Sequence, residues 1–432
     1  MILDKTSKTP LYLQIYERFK HQILEGIYLA NDKIPSIRSL SNRYEVSKNT
    51  VEKAYQQLLV EGFIEAIPKS GYVVSVIKPL HNVKDQKTLK IKERTYINLN
   101  QSKDLFDIEK LRKLYNETFF VNQTDLVKPV SPTGETFLKE AIHRLVSSER
   151  GGVLTPSQVV VSSGLQNQLV ILASILRKKR LAYLVPIFKP AKQILNDLNF
   201  TLIPCHTIDE MVSLKPDLIY ISPSNLYPSG DILPISDRMK LINYALNQKA
   251  YIIEDDYNHI YRYNAAIIPS IQGLAKGLNV IYINSFSRTY LVSMRLSYMI
   301  LPNDLLELYS KKPPYSQTVS KIDQLVMANW IKLGHHQKHL KKLTQYAKRQ
   351  NDMISEVLNQ VSLKGVKKVY GLKSNLHILF DLSDSITKNN VLSKAKKHHI
   401  FIETFDELPL TILVPYNHID KPTFLNLLNA LF

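Results

Sequence analysis

The pattern of apolar and polar positions divides the chain into two parts. Near the amino terminus, apolar residues recur every three or four positions and predict three short helices, over residues 11–25, 36–44 and 48–61. Residues 63–75 alternate between apolar and polar and predict a hairpin with Lys69-Ser70-Gly71 at its tip. Three helices followed by a hairpin make a winged helix-turn-helix.

From about residue 98 onward, short apolar runs alternate with helical patterns. The runs predict strands over 159–161, 181–185, 202–204, 218–221, 250–253 and 280–283, with helices such as 166–176 and 235–246 between them. Strands this uniformly apolar are typical of a parallel sheet that is buried on both faces. The predicted fold class is therefore α/β, with an N-terminal winged helix-turn-helix and a large domain built on a mainly parallel central sheet.

These patterns predict a small domain over 1–77, a linker over 78–96 and a large domain over 97–432. The linker is rich in lysine and poor in apolar residues, although a solvated surface helix is an alternative. The formal net charge of the chain is +18. Residues 1–94 contain 16 Lys+Arg and 10 Asp+Glu and carry +6 of it, so residues 95–432 carry +12. This excess predicts a polyanionic partner, nucleic acid before membrane, unless the whole proteome is basic.

The cysteine count and the apolar runs limit the cellular context. Cys205 is the only cysteine, so the chain cannot form an internal disulfide. The sequence also has no metal-ligand spacing, and we expect no metal site. The first residues lack the pattern of a signal peptide, and no apolar run approaches the roughly 20 residues of a membrane span. We therefore expect a cytoplasmic protein without membrane attachment.

Motifs in the first 75 residues resemble the GntR family of winged-helix regulators. They are Pro10-Leu11-Tyr12-Leu13-Gln14-Ile15, Pro35-Ser36-Ile37-Arg38-Ser39-Leu40, Val46-Ser47-Lys48-Asn49-Thr50-Val51 and the wing glycine Gly71. Ser47 can cap the third helix, whose first turn would then meet base edges and phosphates. The predicted DNA-binding residues are Ser36, Arg38, Ser47, Lys48, Asn49, Thr50, Lys69, Ser70 and Gly71. The alternative for each charged residue is a solvated face.

Six fragments of the large domain resemble, in order, the fold-type I pyridoxal-phosphate enzymes of the aminotransferase superfamily. They are Ser131-Pro132-Thr133-Gly134, residues 162–166, Phe188 after Val185-Pro186, residues 222–230, residues 253–257 and residues 285–298. Residues 329–349 resemble a stretch of the MocR group, in which a GntR-type reader is fused to an aminotransferase-like domain. The resemblance covers essentially the whole chain.

The resemblance implies a site for pyridoxal 5'-phosphate (PLP). Asp255 would bond the pyridinium nitrogen and Tyr257 the ring hydroxyl, while Phe188 would stack on the ring. The turn before residue 166 would cradle the phosphate at a helix N-terminus. The predicted cofactor-binding residues are Ser163, Gly164, Leu165, Gln166, Phe188, Asn225, Asp255, Tyr257, Ser285, Ser287, Arg288 and Arg295.

Two departures from the family pattern argue against catalysis. Arg288 stands where the family has the Schiff-base lysine, and a guanidinium has no free amine with which to attack an aldehyde. No lysine lies between Lys276 and Lys311, and Lys189 is the one conceivable spatial substitute. Leu413 occupies the place of the arginine that binds the substrate carboxylate in the family.

The sequence therefore predicts a DNA-binding transcriptional regulator whose aminotransferase-like domain senses a small effector without transamination. The effector is either PLP held non-covalently or another anion with Arg288 as an added ligand. The alternatives are an active aminotransferase with a DNA-binding arm and a ligand-free dimerisation scaffold. The expected partners are a double-stranded DNA operator, the effector and a second copy in a homodimer.

Overall fold

The chain folds into two units, Met1–Arg94 and Thr95–Phe432. The structure is a computed structural model that describes residues 3–7, 9–68, 70–76, 105–257, 268–312, 317–372 and 376–432, without the side chains of Arg288 and Val292. The predicted linker over 78–96 and Lys69 of the wing lie outside these residues. The finer division at residues 77 and 97 stays a prediction.

The first unit is a winged helix-turn-helix, as predicted. Its elements are α1 (Leu11–Leu24), α2 (Ile37–Tyr44), α3 (Lys48–Val60), β1 (Ile64–Ile67) and β2 (Gly71–Val74). Glu45 ends α2 in the left-handed conformation, at a φ of 51°. The Tyr55 hydroxyl on α3 donates to the Pro35 carbonyl at 2.6 Å, and Ser41 on α2 donates to the Val46 carbonyl at 2.6 Å. These bonds fix α2 against α3.

The second unit is built on a seven-stranded sheet with the order β3-β9-β8-β7-β6-β4-β5. The strands are β3 (Val159–Ser162), β4 (Arg180–Leu184), β5 (Thr201–Cys205), β6 (Leu218–Ile221), β7 (Tyr251–Asp255), β8 (Val280–Ser285) and β9 (Ser297–Ile300). All neighbours are parallel except β9, which is antiparallel to both β3 and β8. The prediction of a mainly parallel sheet is confirmed.

The antiparallel strand β9 was not among the predicted strands. Its connection to β8 runs from Ser285 to Ser297, which is too short for the helical crossover of about a dozen or more residues that joins parallel strands. The chain therefore turns back beside β8, and β9 fills the position between β8 and β3.

Helices cover both faces of this sheet. They are α4 (Ile108–Val121), α5 (Gln123–Leu126), α6 (Thr136–Arg150), α7 (Leu165–Ile175), α8 (Lys189–Asp197), α9 (Ile208–Ser213), α10 (Ile235–Gln248), α11 (Ile271–Leu274), α12 (Asn303–Ser310) and α13 (Lys321–Lys332). Every residue of β3 and of β6 is buried, as expected for strands packed on both sides. Within the described ranges, no helix is both long and apolar enough to cross a membrane.

A smaller antiparallel sheet follows the long helix α14 (His335–Gln360). Its strands are β10 (Val366–Tyr370), β11 (His377–Leu382), β12 (Glu403–Thr404) and β13 (Thr411–Pro415), in the order β10-β11-β13-β12, and its other helices are α15 (Ser385–Lys397) and α16 (Lys421–Leu431). Alternate residues such as Phe380 and Ile412 pack into a core with residues of α14, α15 and α16. Leu379 and Leu413 therefore point to the opposite face, where they meet Phe405 and Tyr227.

A buried ion pair ties the helical layer to the central sheet. Arg150, at the end of α6, donates from Nε to Asp256 Oδ2 at 2.7 Å, and the Tyr282 hydroxyl on β8 donates to the same oxygen at 2.6 Å. The two charged side chains are 5% and 0% exposed. Removing one partner from such a pair leaves an uncompensated buried charge.

We expect Arg150→Ala to lower the free energy of unfolding of the second unit by about 3–5 kcal/mol, because Asp256 loses its counter-ion. Urea unfolding followed by the fluorescence of Trp330, the only tryptophan and a buried one, measures this unit. The control is Arg144→Ala, which changes an exposed arginine of the same helix and should cost less than about 0.5 kcal/mol. Equal costs for the two variants would show that the pair contributes little.

Candidate functional site

The start of α3 is the first candidate site. Ser47 caps the helix by accepting from Thr50 N at 3.1 Å, and Ser36 caps α2 by accepting from Ser39 N at 3.2 Å. Lys48 and Asn49 are exposed in the first turn of α3. An exposed helix start with free polar side chains is the part of a recognition helix that meets DNA.

Two further predicted DNA contacts lie beside this helix start in the same unit. Arg38 is exposed in the first turn of α2, and Thr50 is half-buried, with its hydroxyl 2.7 Å from the Ser47 hydroxyl. The wing turns at Ser70, whose N–H donates to the Ile67 carbonyl at 3.0 Å, and at exposed Gly71, whose φ of +100° favours glycine. The remaining wing residue, Lys69, lies outside the described residues.

The register of three strands builds the second candidate site, at one end of the central sheet. Ser297 on β9 lies directly opposite Ser162 on β3 and opposite Ser285 on β8. The hydroxyls of Ser162 and Ser297 are 2.7 Å apart. Beyond the paired residues, Arg295 precedes β9 and contacts the turn at Ser163 and Gly164, while Ser287 lies in the short helical turn that follows β8. The predicted phosphate-binding residues are thus neighbours although they are over 100 positions apart in sequence.

Gly164 and Arg295 form a tight contact at the start of α7. The Gly164 N–H donates to Ser297 Oγ at 2.6 Å, and Arg295 Nη2 donates to the Ser163 carbonyl at 3.2 Å. A Cβ on Gly164 would lie 2.5 Å from Arg295 Nη2, and the φ of +99° at Gly164 also favours glycine. The glycine therefore leaves room for an exposed guanidinium beside a helix N-terminus, an arrangement that suits an anion.

The turn after β8 adds two hydroxyl groups. Ser285 Oγ accepts from Ser287 N at 3.1 Å. The Ser287 hydroxyl is buried and has no hydrogen-bond partner in the part of the chain that the structure describes. An unsatisfied buried hydroxyl is unfavourable, so a ligand oxygen at this point would be stabilising. The backbone of Arg288 closes the turn Phe286–Arg288, and its side chain lies outside the described atoms.

The two consecutive aspartates after β7 have different partners. Asp255 accepts a short hydrogen bond from the Tyr220 hydroxyl on β6, whereas Asp256 accepts from Arg150 and Tyr282. Burial, and next the Asp255 carboxylate, raise the pKa of Tyr220 well above its usual value. Asp256 is therefore part of the structural ion pair, and Asp255 remains the candidate partner for a ligand.

The other predicted ligand residues lie at the ends of neighbouring elements. Phe188 precedes α8, and its ring centroid is 5.8 Å from that of Tyr227. Asn225 is buried in the loop after β6, and Tyr257 lies two residues after the end of β7. Leu165 is half-buried and Gln166 exposed in the first turn of α7. Lys189, the conceivable substitute for the missing lysine, is exposed at the start of α8.

Three residues that sequence reasoning missed help to build this site. Ser297 binds the Gly164 N–H, Asn284 accepts the Ser285 N–H at 2.6 Å, and Tyr220 binds Asp255. All three lie near strand ends: Ser297 is across from Ser285, Tyr220 is on the strand beside Asp255, and Asn284 directly precedes Ser285. The contributions of Ser297 and Tyr220 can be found only once the strand register is known, because the pairing of β9 with β3 is not evident from the sequence.

The small sheet presents an apolar face at the position of the missing arginine. Leu413 is buried against Leu379 and Phe405, and the Tyr227 ring packs on this cluster. The Tyr227 hydroxyl donates to Glu403 Oε1 at 2.8 Å. The cluster thus contributes leucines, aromatic rings and a carboxylate, none of which would attract a substrate carboxylate.

Each part of the chain matches a known protein family. Residues 11–74 match the family described as bacterial regulatory proteins, gntR family, and residues 94–411 match aminotransferase class I and II. The chain belongs to the aminotransferase class I and II family and carries a GntR-family helix-turn-helix domain. The prediction of this two-part organisation is confirmed. We call the two units the GntR-type unit and the aminotransferase-like unit.

Relatives with the same two parts are named as regulators. The chain is 31% identical to an uncharacterized HTH-type transcriptional regulator, YdeL of Bacillus subtilis, over 93% of this chain and 90% of that protein. It is 27% identical to the probable rhizopine catabolism regulatory protein MocR of Rhizobium meliloti, over 82% and 78%. It is 24% identical to the pyridoxine biosynthesis regulator PdxR of Corynebacterium glutamicum, over 85% and 83%.

The solved structures with the same fold include enzymes. Kynurenine aminotransferase of Pyrococcus horikoshii superposes with a TM-score of 0.69 and 18% identity, covering 77% of this chain and 88% of that one. At this identity the likeness shows the fold of the aminotransferase-like unit and does not by itself transfer the activity.

A cavity beside the candidate ligand site contains an acidic side chain. Glu149, Tyr257, Ser285 and His336 are among the residues that line it. Burial raises the pKa of the Glu149 carboxyl to about 7, and the charge of Arg150 opposes this rise. The folded state therefore binds a proton at Glu149 more tightly than the unfolded chain does.

We expect the stability contributed by protonated Glu149 to be complete below about pH 4.5 and to be lost as the pH rises through 7. Glu149→Gln, a neutral side chain of similar shape, should be more stable than the parent at pH 8 by up to about 3 kcal/mol and equally stable at pH 4. Urea unfolding at the two pH values measures the difference. Glu140→Gln, an exposed position on the same helix, is the control, and an equal response of both variants would contradict the prediction.

Proposed function

We propose that the protein is a cytoplasmic transcriptional regulator that binds an operator through its GntR-type unit and a small effector through its aminotransferase-like unit. The observation that carries the proposal is the presence of two separate candidate sites in one chain whose relatives are named HTH-type transcriptional regulators. The exposed start of α3, with Lys48 and Asn49 in its first turn, supports DNA reading.

We propose PLP as the effector, because the residues present fit its phosphate and ring. The unsatisfied Ser287 hydroxyl and the turn at Gly164, beside Arg295, suit a phosphate group. Ser285 lies opposite Ser297 on the neighbouring strand. Asp255 lies at a strand end, where it would hold the pyridinium nitrogen. Bound PLP supplies an electron-accepting ring, and in this chain its role would be that of a ligand.

We propose that the bound ligand is held without a covalent bond and that no transamination occurs. Arg288 stands at the lysine position and has no nucleophilic amine. The apolar cluster around Leu413 provides no cation that could orient an amino-acid carboxylate. Without the nucleophile and the clamp, the unit retains the recognition of the cofactor and lacks the groups for its chemistry.

We also propose that the aminotransferase-like unit forms the contact of a homodimer. Large apolar side chains are exposed together near α4, α5 and the start of α6: Phe119, Phe120, Val121, Val127 and Phe137, with Phe120 78% exposed. Exposed apolar groups of this kind mark interaction surfaces. A dimer would have two GntR-type units, one for each half-site of an operator.

For DNA reading, we expect Arg38→Ala together with Lys48→Ala to weaken binding by about 2–6 kcal/mol, at roughly 1–3 for each good contact. The measurement is a gel-shift titration on a duplex selected by the protein from a random library. Lys5→Ala, an exposed lysine near the amino terminus, is the control and should leave affinity nearly unchanged. Undiminished binding by the double variant would remove Arg38 and Lys48 from the readout.

For the ligand site, we expect Arg288→Lys to attach added PLP covalently, so that borohydride fixes the cofactor to the chain. The reason is that Asp255, Ser285 and Arg295 would surround the new amine in an intact PLP site, while the parent has no amine there. Absorbance and peptide mapping of borohydride-treated protein measure the attachment.

Gly164→Ala in the Arg288→Lys background is the matched control. It should abolish attachment, because the added Cβ displaces the Arg295 guanidinium. If Arg288→Lys takes up PLP no better than the parent, the site serves a different anion. Fixation of PLP by the parent itself would instead point to another lysine, with Lys189 to be mapped first.

A further inference from the structure

Most of the basic excess lies outside the GntR-type unit. Residues 1–94 account for +6 of the formal +18, so the aminotransferase-like unit carries the remaining +12. Neither the reader helix nor the ligand site explains that charge, because an effector the size of PLP needs few cations. Part of this positive charge is concentrated on α14.

The first four turns of α14 carry basic residues and no acidic ones. Residues 335–350 contain five Lys and Arg and no Asp or Glu, namely Lys338, Lys341, Lys342, Lys348 and Arg349. All five side chains are exposed. The opposite face of the helix is buried through residues that include His336, His339, Leu343 and Ala347. The helix therefore anchors one face in the unit and presents a charged face to solvent.

The five cations share one face and form a row. At 3.6 residues per turn, they fall within about a third of the helix circumference. From Lys338 to Arg349 the row is roughly 16 Å long at 1.5 Å per residue. This length is comparable with the major-groove width of about 12 Å and spans about five phosphates at 3.4 Å along one strand.

The row has few acidic neighbours, the charge of Asp107 near Lys342 being one. Within the described ranges, none of the five side chains makes an ion pair, whereas further along the same helix Glu356 pairs with Lys421 at 2.6 Å. Burial, followed by the charges of Lys110 and Lys338, lowers the pKa of His335 at the start of the helix. The cations thus repel further positive charge, and a polyanion would relieve that repulsion.

We propose that the exposed face of α14, made by Lys338, Lys341, Lys342, Lys348 and Arg349, is a second DNA-binding surface that contacts the backbone phosphates of duplex DNA. Lysine and arginine on a helix face recognise phosphate by charge, so this surface adds affinity without sequence preference. The inference does not depend on the identity of the effector.

The test compares two triple variants of the full-length protein with the same change in net charge. Lys341→Gln/Lys342→Gln/Lys348→Gln alters the α14 face, and Lys367→Gln/Lys396→Gln/Lys397→Gln alters exposed lysines elsewhere in the unit. Fluorescence anisotropy measures binding to a random-sequence 60-base-pair duplex across a range of salt concentrations. The dependence of log K on log salt counts the phosphate contacts, at about 0.9 for each.

In the α14 variant, we expect the slope of log K against log salt to be smaller in magnitude by about 3 than in the parent, on selected and random sequences alike. The control variant should keep the slope of the parent. The same loss should persist in an Arg38→Ala/Lys48→Ala background, which separates this surface from the reader helix. Lys→Arg changes at the same three positions should keep the slope, which shows that charge rather than misfolding causes the loss.

Three results would overturn the proposal. The first is an equal slope for the α14 and control variants. The second is a change of oligomeric state of the α14 variant in sedimentation velocity, which would assign the face to a contact between copies of the chain. The third is unchanged duplex binding with a loss of binding to anionic phosphatidylglycerol vesicles, which would assign the face to a lipid surface.

Discussion

The candidate ligand site depends on the pairing of β9 between β3 and β8. That pairing sets Ser297 opposite both Ser162 and Ser285, and it brings Arg295, two residues before β9, against Ser163 and Gly164. A slip of one residue in either ladder would turn the side chains of β9 to the other face and separate the hydroxyls from the guanidinium. The short connection from β8 to β9 holds the register by keeping the two strands adjacent in sequence.

The surrounding charges support a working site over an inert scaffold. A buried carboxylate is costly unless it has partners, and Asp255 retains the Tyr220 hydroxyl as one of them. The buried Ser287 hydroxyl would gain a hydrogen bond from an anionic ligand, and the exposed Arg295 guanidinium would gain a counter-ion. An effector that binds here can alter DNA binding only if it favours one arrangement of the protein, and the coupling must then be reciprocal.

Much of the fold could be predicted from the sequence, because its signals are local. Ser47 and Ser36 stand at helix caps, and the apolar runs of β3 and β6 are typical of strands buried on both faces. The roles of Ser297 and Tyr220 could not be predicted, because they depend on which strands are neighbours, whereas the bond from Asn284 to Ser285 is local. The separate roles of Asp255 and Asp256 likewise required the structure, since adjacent residues of a strand point to opposite faces.

The most direct test of the central claim is mass spectrometry of the unmutated protein incubated with PLP, first under native and then under denaturing conditions. The account predicts a protein–PLP complex in the native spectrum that disappears on denaturation, even after borohydride treatment, because Arg288 offers no amine for a covalent bond. A PLP adduct that survives denaturation would contradict the account and assign a covalent, enzyme-like site to this unit.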